Sequence, residues 1–265
     1  MTTPEWRQAT ITFPDPSNAE QTARNHLAPI MAEAERCQII TTWFYVRKDA
    51  WHLRYAPSAA AADQYVTNEL ERLVRNQYVL RMVPGIYEPE SHAFGGAEAM
   101  QVAHRLWHHD SRHLLLGEGT VPTRHRETSI MLLAVMMRAA VLDWYEQGDV
   151  WARVADRRDQ PPRGLASSHL AAVERLLTVD SATLTFASYP TLIEAYASAG
   201  RILHHLKQAG RLHRGLRDIL AHHVIFAWNR RSIPGLHQAA LAEAAKTVVF
   251  GPDPTPAVPI PCSAS

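Results

Sequence analysis

The sequence predicts an α+β fold: an N-terminal ferredoxin-like βαββαβ sheet followed by a C-terminal helical layer. Two observations carry this. Alternating, β-branched and aromatic stretches are confined to residues 1–95, and past Gly96 the apolar residues recur every three to four positions. Within residues 1–95 the stretches run strand, helix, strand, strand, helix, strand, which is the split βαβ order.

TITF (10–13) alternates polar and apolar residues as a half-buried strand does, and PDPSNAEQ supplies a turn and a helix cap. The apolar spacing after it predicts a helix of about twenty residues. QIITTWFYV (38–46) is β-branched and aromatic, RKDA is a tight connection, and WHLRYA (51–56) alternates again, so the two pair as a hairpin. ADQYVTNELERLVR (62–75) is the second helix and YVLRMVPGIY (78–87) the fourth strand. The region 96–250 reads as helices: 97–116, 126–147, a segment near 168–177, 190–208, 215–228 and 236–250. RRDQPPRG (157–164) is a proline-rich break, and residues 251–265 form a proline-studded tail expected to be disordered. A sheet with its own two helices on one face leaves the other face for the helical portion to wall as a groove.

Composition removes several classes of function. With 27 basic and 26 acidic residues the net charge is +1, so the electrostatic footprint of a nucleic-acid binder is missing and no direct nucleic-acid partner is expected. Cys37 and Cys262 are far apart, and MTTPEWRQ resembles no secretory signal, so a cytoplasmic protein is expected. The most apolar run, IMLLAVMMRAAVL (130–142), is shorter than a bilayer span and carries Arg138, so no membrane partner is expected. GxGxxG, GxxxxGK, GxSxG and CxxC motifs are lacking.

Histidine and arginine are the residue types that could carry chemistry. Six of fifteen histidines fall between 92 and 125, and His104 and His108 stand at i and i+4 with Asp110 close by. That is a metal-ligand spacing without a third ligand, so neither a metal site nor any cofactor is expected. His222 and His223 are neighbours on a helix and cannot both face one site. In the hairpin, Arg47 and Arg54 are expected on one side of the sheet, where guanidiniums would bind a carboxylate or an oxyanion, although strand arginines also serve as solvent-face residues. YEPESHAFGG (87–96) is punctuated by Pro89 and Gly95-Gly96; Tyr87 and Phe94 give it aromatic bulk, and Glu90 and His92 are expected to reach the groove.

Taken together, LAPIM, WFYVRK with WHLRY, GIYEPESHAFGG, MQVAHRLWHHDSR, RAAVLDWYEQGDVWARV, RGLRDILAHHVIFAWNR and LAEAAKTVVFG run in one order from Trp6 to about Gly251. In this the chain resembles the thiopeptide-type bacteriocin biosynthesis family, the C-terminal, elimination-type domain of lantibiotic dehydratases occurring as a separate protein. The resemblance implies an enzyme that modifies a ribosomally made precursor peptide, gripping its leader and working on its core. A separate glutamylating dehydratase subunit would esterify serine or threonine, and this chain would remove the Cα proton and expel glutamate. The same resemblance admits the thiopeptide pyridine synthases, which join two dehydroalanines by [4+2] aza-cycloaddition and release the leader, and a non-catalytic leader-binding module that presents the precursor by strand addition. It implies catalytic roles for Arg47, Arg54, His92 and His223, and substrate binding by Tyr87, Glu90, Phe94, His104, Asp110, Ser111, Asn229 and Arg230, the last two as orienting groups; it also leaves room for a homodimer. Where elimination enzymes resemble one another in an arginine before Tyr-Gly-Gly, this chain has Ala93, and two residues before Asn229 it has Ala227 in place of their histidine.

Overall fold

A computed structural model describes residues 5–47, 50–117, 125–159, 167–178 and 190–251. The middle of the RKDA connection, most of RRDQPPRG and the tail beyond residue 251 lie outside the described residues. Strand β1 (Arg7–Thr12) leads into helix α1 (Ala19–Thr22), a π-helical stretch (Ala23–Leu27) and helix α2 (Ala28–Arg36). The single long helix expected here is therefore interrupted. Pro29, in the first turn of α2, has no N–H to give the preceding turn, and the wider π turn sits where that bond is missing.

Strands β2 (Ile40–Arg47) and β3 (Trp51–Pro57), helix α3 (Ala60–Arg75) and strand β4 (Arg81–Gly85) complete the N-terminal part. Neighbouring strands are antiparallel in the order β2-β3-β1-β4. β4 is shorter than the expected 78–87 because Gln77 turns the chain with a positive φ and Leu80 is still entering the ladder. Pro84 lies in this edge strand, where a missing donor is tolerated.

The described residues from 97 onward form helices α4 (Ala97–Leu116), α5 (His125–Ala139), α6 (Trp144–Ala155), α7 (Ser167–Thr178), α8 (Pro190–Gln208), α9 (Leu216–Arg230) and α10 (Gly235–Phe250). The long apolar run expected from 126 to 147 is split at Val141, which takes a positive φ. Asp143 then caps α6 in a reciprocal capping box with Glu146, a motif that contributes about 1 kcal/mol. Among the described residues no helix is long and apolar enough to cross a membrane.

Alternation in the strands decides the layers. Ile11, Trp43, Tyr45, Trp51, Leu53 and Tyr55 point to the face covered by α1–α3 and share one core with Leu27, Met31, Val66 and Leu70. Phe44 and Val46 point to the other face and pack on Trp107, Met100 and Phe226 of α4 and α9. The remaining helices close a separate core around Leu133, Trp151, Leu203, Leu220 and Trp228. The outer edge of β2 is tied down by α4: Ser111 Oγ accepts from Tyr45 N at 3.2 Å, and His108 Nδ1 lies 2.9 Å from Trp43 O. Only the β2 side of the second face is fully covered, so Gln8, Thr10, His52, Arg54 and Val83 stay half-buried.

Candidate functional site

Register separates the two strand arginines. Arg47 pairs with Trp51, and Phe44 pairs with Arg54, so Arg47 stands on the α1–α3 face and Arg54 on the other. The expectation that both lie on one side of the sheet is thus corrected. Arg47 gives an Nη2 bond of 2.6 Å to Glu20 and lies 4.1 Å from the Trp51 ring centroid. Arg54 sits 4.1 Å from the Tyr87 ring centroid, and its Nε donates to Gln8 Oε1 at 2.7 Å, because Gln8 is the β1 residue opposite it in the register.

Around Arg54 the second face carries a packed aromatic cluster. Trp6, Phe44, Tyr87, His104 and Trp107 contact one another edge-on, stacked or tilted with centroids 4.5–5.9 Å apart. Tyr87 Oη lies 2.8 Å from His104 Nε2, and each residue keeps 8% of its surface exposed. Burial, and then the Arg54 charge, hold His104 down at about 3. Burial also lifts the Tyr87 phenol well above its ordinary value despite Arg54, with Glu90 adding to the rise. Arg54 itself is lowered by burial, against the raising influence of Tyr87 and Glu90. The site therefore sets the Arg54 cation against a neutral phenol–imidazole pair.

Behind this pair lies a line of unmet polar atoms. Both nitrogens of His223, both Nη atoms of Arg230, and the indole nitrogens of Trp6 and Trp107 are buried without a hydrogen-bond partner among the described residues. Phe94 contacts Trp107, His223 and Phe226 with centroids 5.0–5.1 Å away, which makes it a spacer of this cluster. His223 is 2% exposed and is held at about 3 by burial, with Arg230 lowering it further.

The other expected residues divide by burial. Asp110 is fully buried and takes Arg230 Nε at 2.8 Å, Arg231 at 2.6 and 2.8 Å, and the Tyr196 hydroxyl at 3.0 Å. Those arginines hold its carboxyl far below the usual range even against burial. Ser111 is spent on the β2 backbone, and Arg230 is wholly interior, so these three tie α4 to α9 and β2. Asn229 is half-buried, accepts from Gln238 at 3.0 Å, and lines a cavity of about 510 Å3 together with Arg47. Glu90 and His92 are exposed in the loop before α4. Gly95 and Gly96 adopt φ of 86° and 115°, and a Cβ on Gly95 would stand 2.4 Å from Ile219, so the loop closes on α9 only with glycine there. Ala93 packs on the aromatic cluster, and Ala227 is 1% exposed with its carbonyl bonded to Arg231.

His104 and His108 do not converge on a common point: His104 meets Tyr87, and His108 meets Trp43 and Glu35. Among the described residues no group of three or more His, Cys, Asp or Glu could hold a metal ion. Sequence reading missed Trp6, Gln8, Glu20, Arg157 and Arg158. Parity in β1 could have placed Gln8 across from Arg54; the others carry no periodic or motif signal.

The family described as Lantibiotic biosynthesis dehydratase C-term matches residues 6–249. The fold is similar to that of the tRNA-dependent lantibiotic dehydratase MibB from Microbispora sp. 107891, with TM-score 0.67, 16% identity and 94% of this chain covered. The chain spans 29% of MibB's length. TsrL is also similar, with TM-score 0.60, 13% identity, and 93% of this chain and 94% of TsrL covered. A search of curated protein sequences gave no match.

Proposed function

The chain belongs to the lantibiotic biosynthesis dehydratase C-terminal family, and from that premise we propose that it modifies a ribosomally made precursor peptide by [4+2] aza-cycloaddition of two dehydroalanines with release of the leader. The observation that carries this is the neutral Tyr87–His104 pair beside the cation Arg54. Ring formation needs two alkenes held in register, and one amide converted to its iminol by taking a proton from nitrogen and giving one to oxygen. A phenol donor, an imidazole acceptor and aromatic walls suit that task. Tyr87 gives its proton to the carbonyl oxygen, His104 takes the proton lost by the amide nitrogen and returns it to the Tyr87 phenolate across their 2.8 Å contact, and Arg54 steadies charge on the oxygen; the new ring then loses water and, by C–N cleavage, the leader as its terminal amide.

Glutamate expulsion asks for something else, namely cations for the glutamyl carboxylates. Ala93 stands where the resemblance expects an arginine, and the nearby buried histidines, held at about 3, are uncharged at neutral pH and cannot replace it. Elimination is the second reading, favoured by the arginines of the cavity at the end of β2 around Arg47. In either case the partners are the precursor peptide and a separate dehydratase subunit. We read the sheet, with its order β2-β3-β1-β4, as ferredoxin-like, and residues 1–95 and 96–250 as two portions of one domain.

The test offers purified protein a fully dehydrated, azole-bearing precursor or a glutamylated one and weighs the products. A macrocycle and freed leader from the first supports the proposal. Loss of glutamate from the second, with the first untouched, overturns it in favour of elimination, and binding without change to either leaves a presenting module.

A further inference from the structure

We propose that the cavity of about 510 Å3 around Arg47 is a carboxylate site for an acidic side chain of the precursor peptide, an inference that rests on the peptide-substrate reading above. Arg47, Arg157, Arg158, Asn229, Ser232 and Gly235 bring cationic and polar groups to one polar-walled space. The arginines are not used up by the acids around them. Glu20 is shared by Arg47 at 2.6 Å and Arg24 at 3.1 Å, and His125 also approaches it. Asp218 is shared by Arg153, Arg157 and Arg214 at 2.8, 2.9 and 3.5 Å, and Asp149, at 3.0 Å from Arg153, is itself shared with Arg217 at 3.0 Å. Arg158 donates to Gln238 Oε1 and to the Arg157 carbonyl, and Asp159 lines the same wall. Positive charge is left over.

Donors are left over as well. Arg47 Nε and Arg157 Nη1 are buried without a partner among the described residues. Helix α10 begins at this wall, with Gly235 as its first residue; Gln238 N bonds back to Pro234, leaving the earlier amides of that turn for an anion. Neutral buried donors would accept a water, but several guanidiniums sharing too few carboxylates call for a negative group. A carboxylate supplies two acceptor oxygens with one charge, matching the open Arg47 Nε and Arg157 Nη1 with the charge of Arg158 beside them. Arg47 is the last residue of β2, so a side chain held here would fix the peptide's position against the end of that strand.

The experiment titrates the full chain with N-acetylglutamate amide, N-acetylglutamine amide and inorganic phosphate, following arginine Nε–H signals by NMR, and measures precursor affinity in wild type and Arg158→Gln. Expected are shifts at Arg47 and Arg158 with the glutamate compound and none with its amide. Arg158→Gln should weaken the precursor about tenfold, and a precursor whose acids are changed to amides should bind both proteins equally. Because Arg158 also bonds Gln238, Arg158→Lys, which keeps the charge, should restore part of the affinity. Stronger shifts with phosphate than with the glutamate compound, or equal weakening of acidic and amide precursors, overturns the proposal. No precursor binding at all, with the glutamate shifts present, instead contradicts the peptide reading and leaves a free-carboxylate site.

Discussion

Tyr87 Oη and His104 Nε2 lie 2.8 Å apart, and the environment drives their proton affinities in opposite directions, the phenol up and the imidazole down. The proton therefore rests on Tyr87, which donates, while Nε2 accepts. Tyr87→Phe keeps the aromatic packing and removes only the donor. Turnover should fall by about 10²–10⁴-fold, and stability by about 1 kcal/mol, from the unpaired Nε2. His92→Ala, exposed in the loop, should leave turnover within about twofold, on the expectation for a surface residue outside the site. Single-turnover kinetics and thermal melts on the two variants check this; a larger loss from His92→Ala would move the chemistry into the loop.

Arg54→Ala should reduce turnover far more than it lowers the melting temperature. Its guanidinium bonds the uncharged groups of Gln8 and Tyr87 and rests on the Tyr87 and Phe44 rings, with Glu90 acting on it without an ion pair among the described residues, so its charge can serve an anion that develops during reaction. Parallel loss of folding and activity would make Arg54 a structural residue.

The layers could be read from the chain because alternation is local: Trp43, Tyr45 and Leu53 are apolar at every second position, and each falls on the helix-covered face. The Arg47–Arg54 relation was not readable, since it depends on which residues pair across the hairpin, and shifting the register by one residue reverses the face. Nor was the Asp110 cluster, whose members Tyr196, Arg230 and Arg231 are brought together from α8 and the end of α9 only by helix packing. Arg157 and Arg158 belong to the stretch read as a proline-rich break, and nothing in composition distinguishes a loop arginine from a cavity wall. The glycines before α4 were legible, because only glycine tolerates their backbone and the approach of Ile219.

Asp110→Asn should destabilise the protein by about 3–5 kcal/mol, because two buried guanidiniums then lose their counter-charge. Chemical denaturation measures it directly. Unchanged stability with lost activity would assign Asp110 to the substrate.

Acid should weaken the fold before the carboxylates titrate. His104 and His223 have folded values of about 3 against an ordinary 6.5, so below 6.5 the unfolded chain takes up protons that the folded one refuses. Their stabilising contribution is whole above 6.5 and is lost as pH falls toward 3. Asp110, lowered in the fold, contributes above its ordinary 3.8 and loses that only in stronger acid. At pH 5 each histidine should have cost about 2 kcal/mol. Denaturation midpoints between pH 7 and 5 should therefore drop, and drop less in His223→Leu; a flat profile would contradict the burial of both rings.

The protonation of His104 is the most direct test, since the proposed chemistry depends on a neutral imidazole where glutamate expulsion would need a cation. NMR of histidine-labelled protein, with His104→Gln to assign the signal, reads both tautomer and titration. The prediction is a neutral ring with its proton on Nδ1, unchanged from pH 8 to about 5. A ring that takes up a proton with a midpoint near 6.5 or above would contradict it and restore elimination as the better reading.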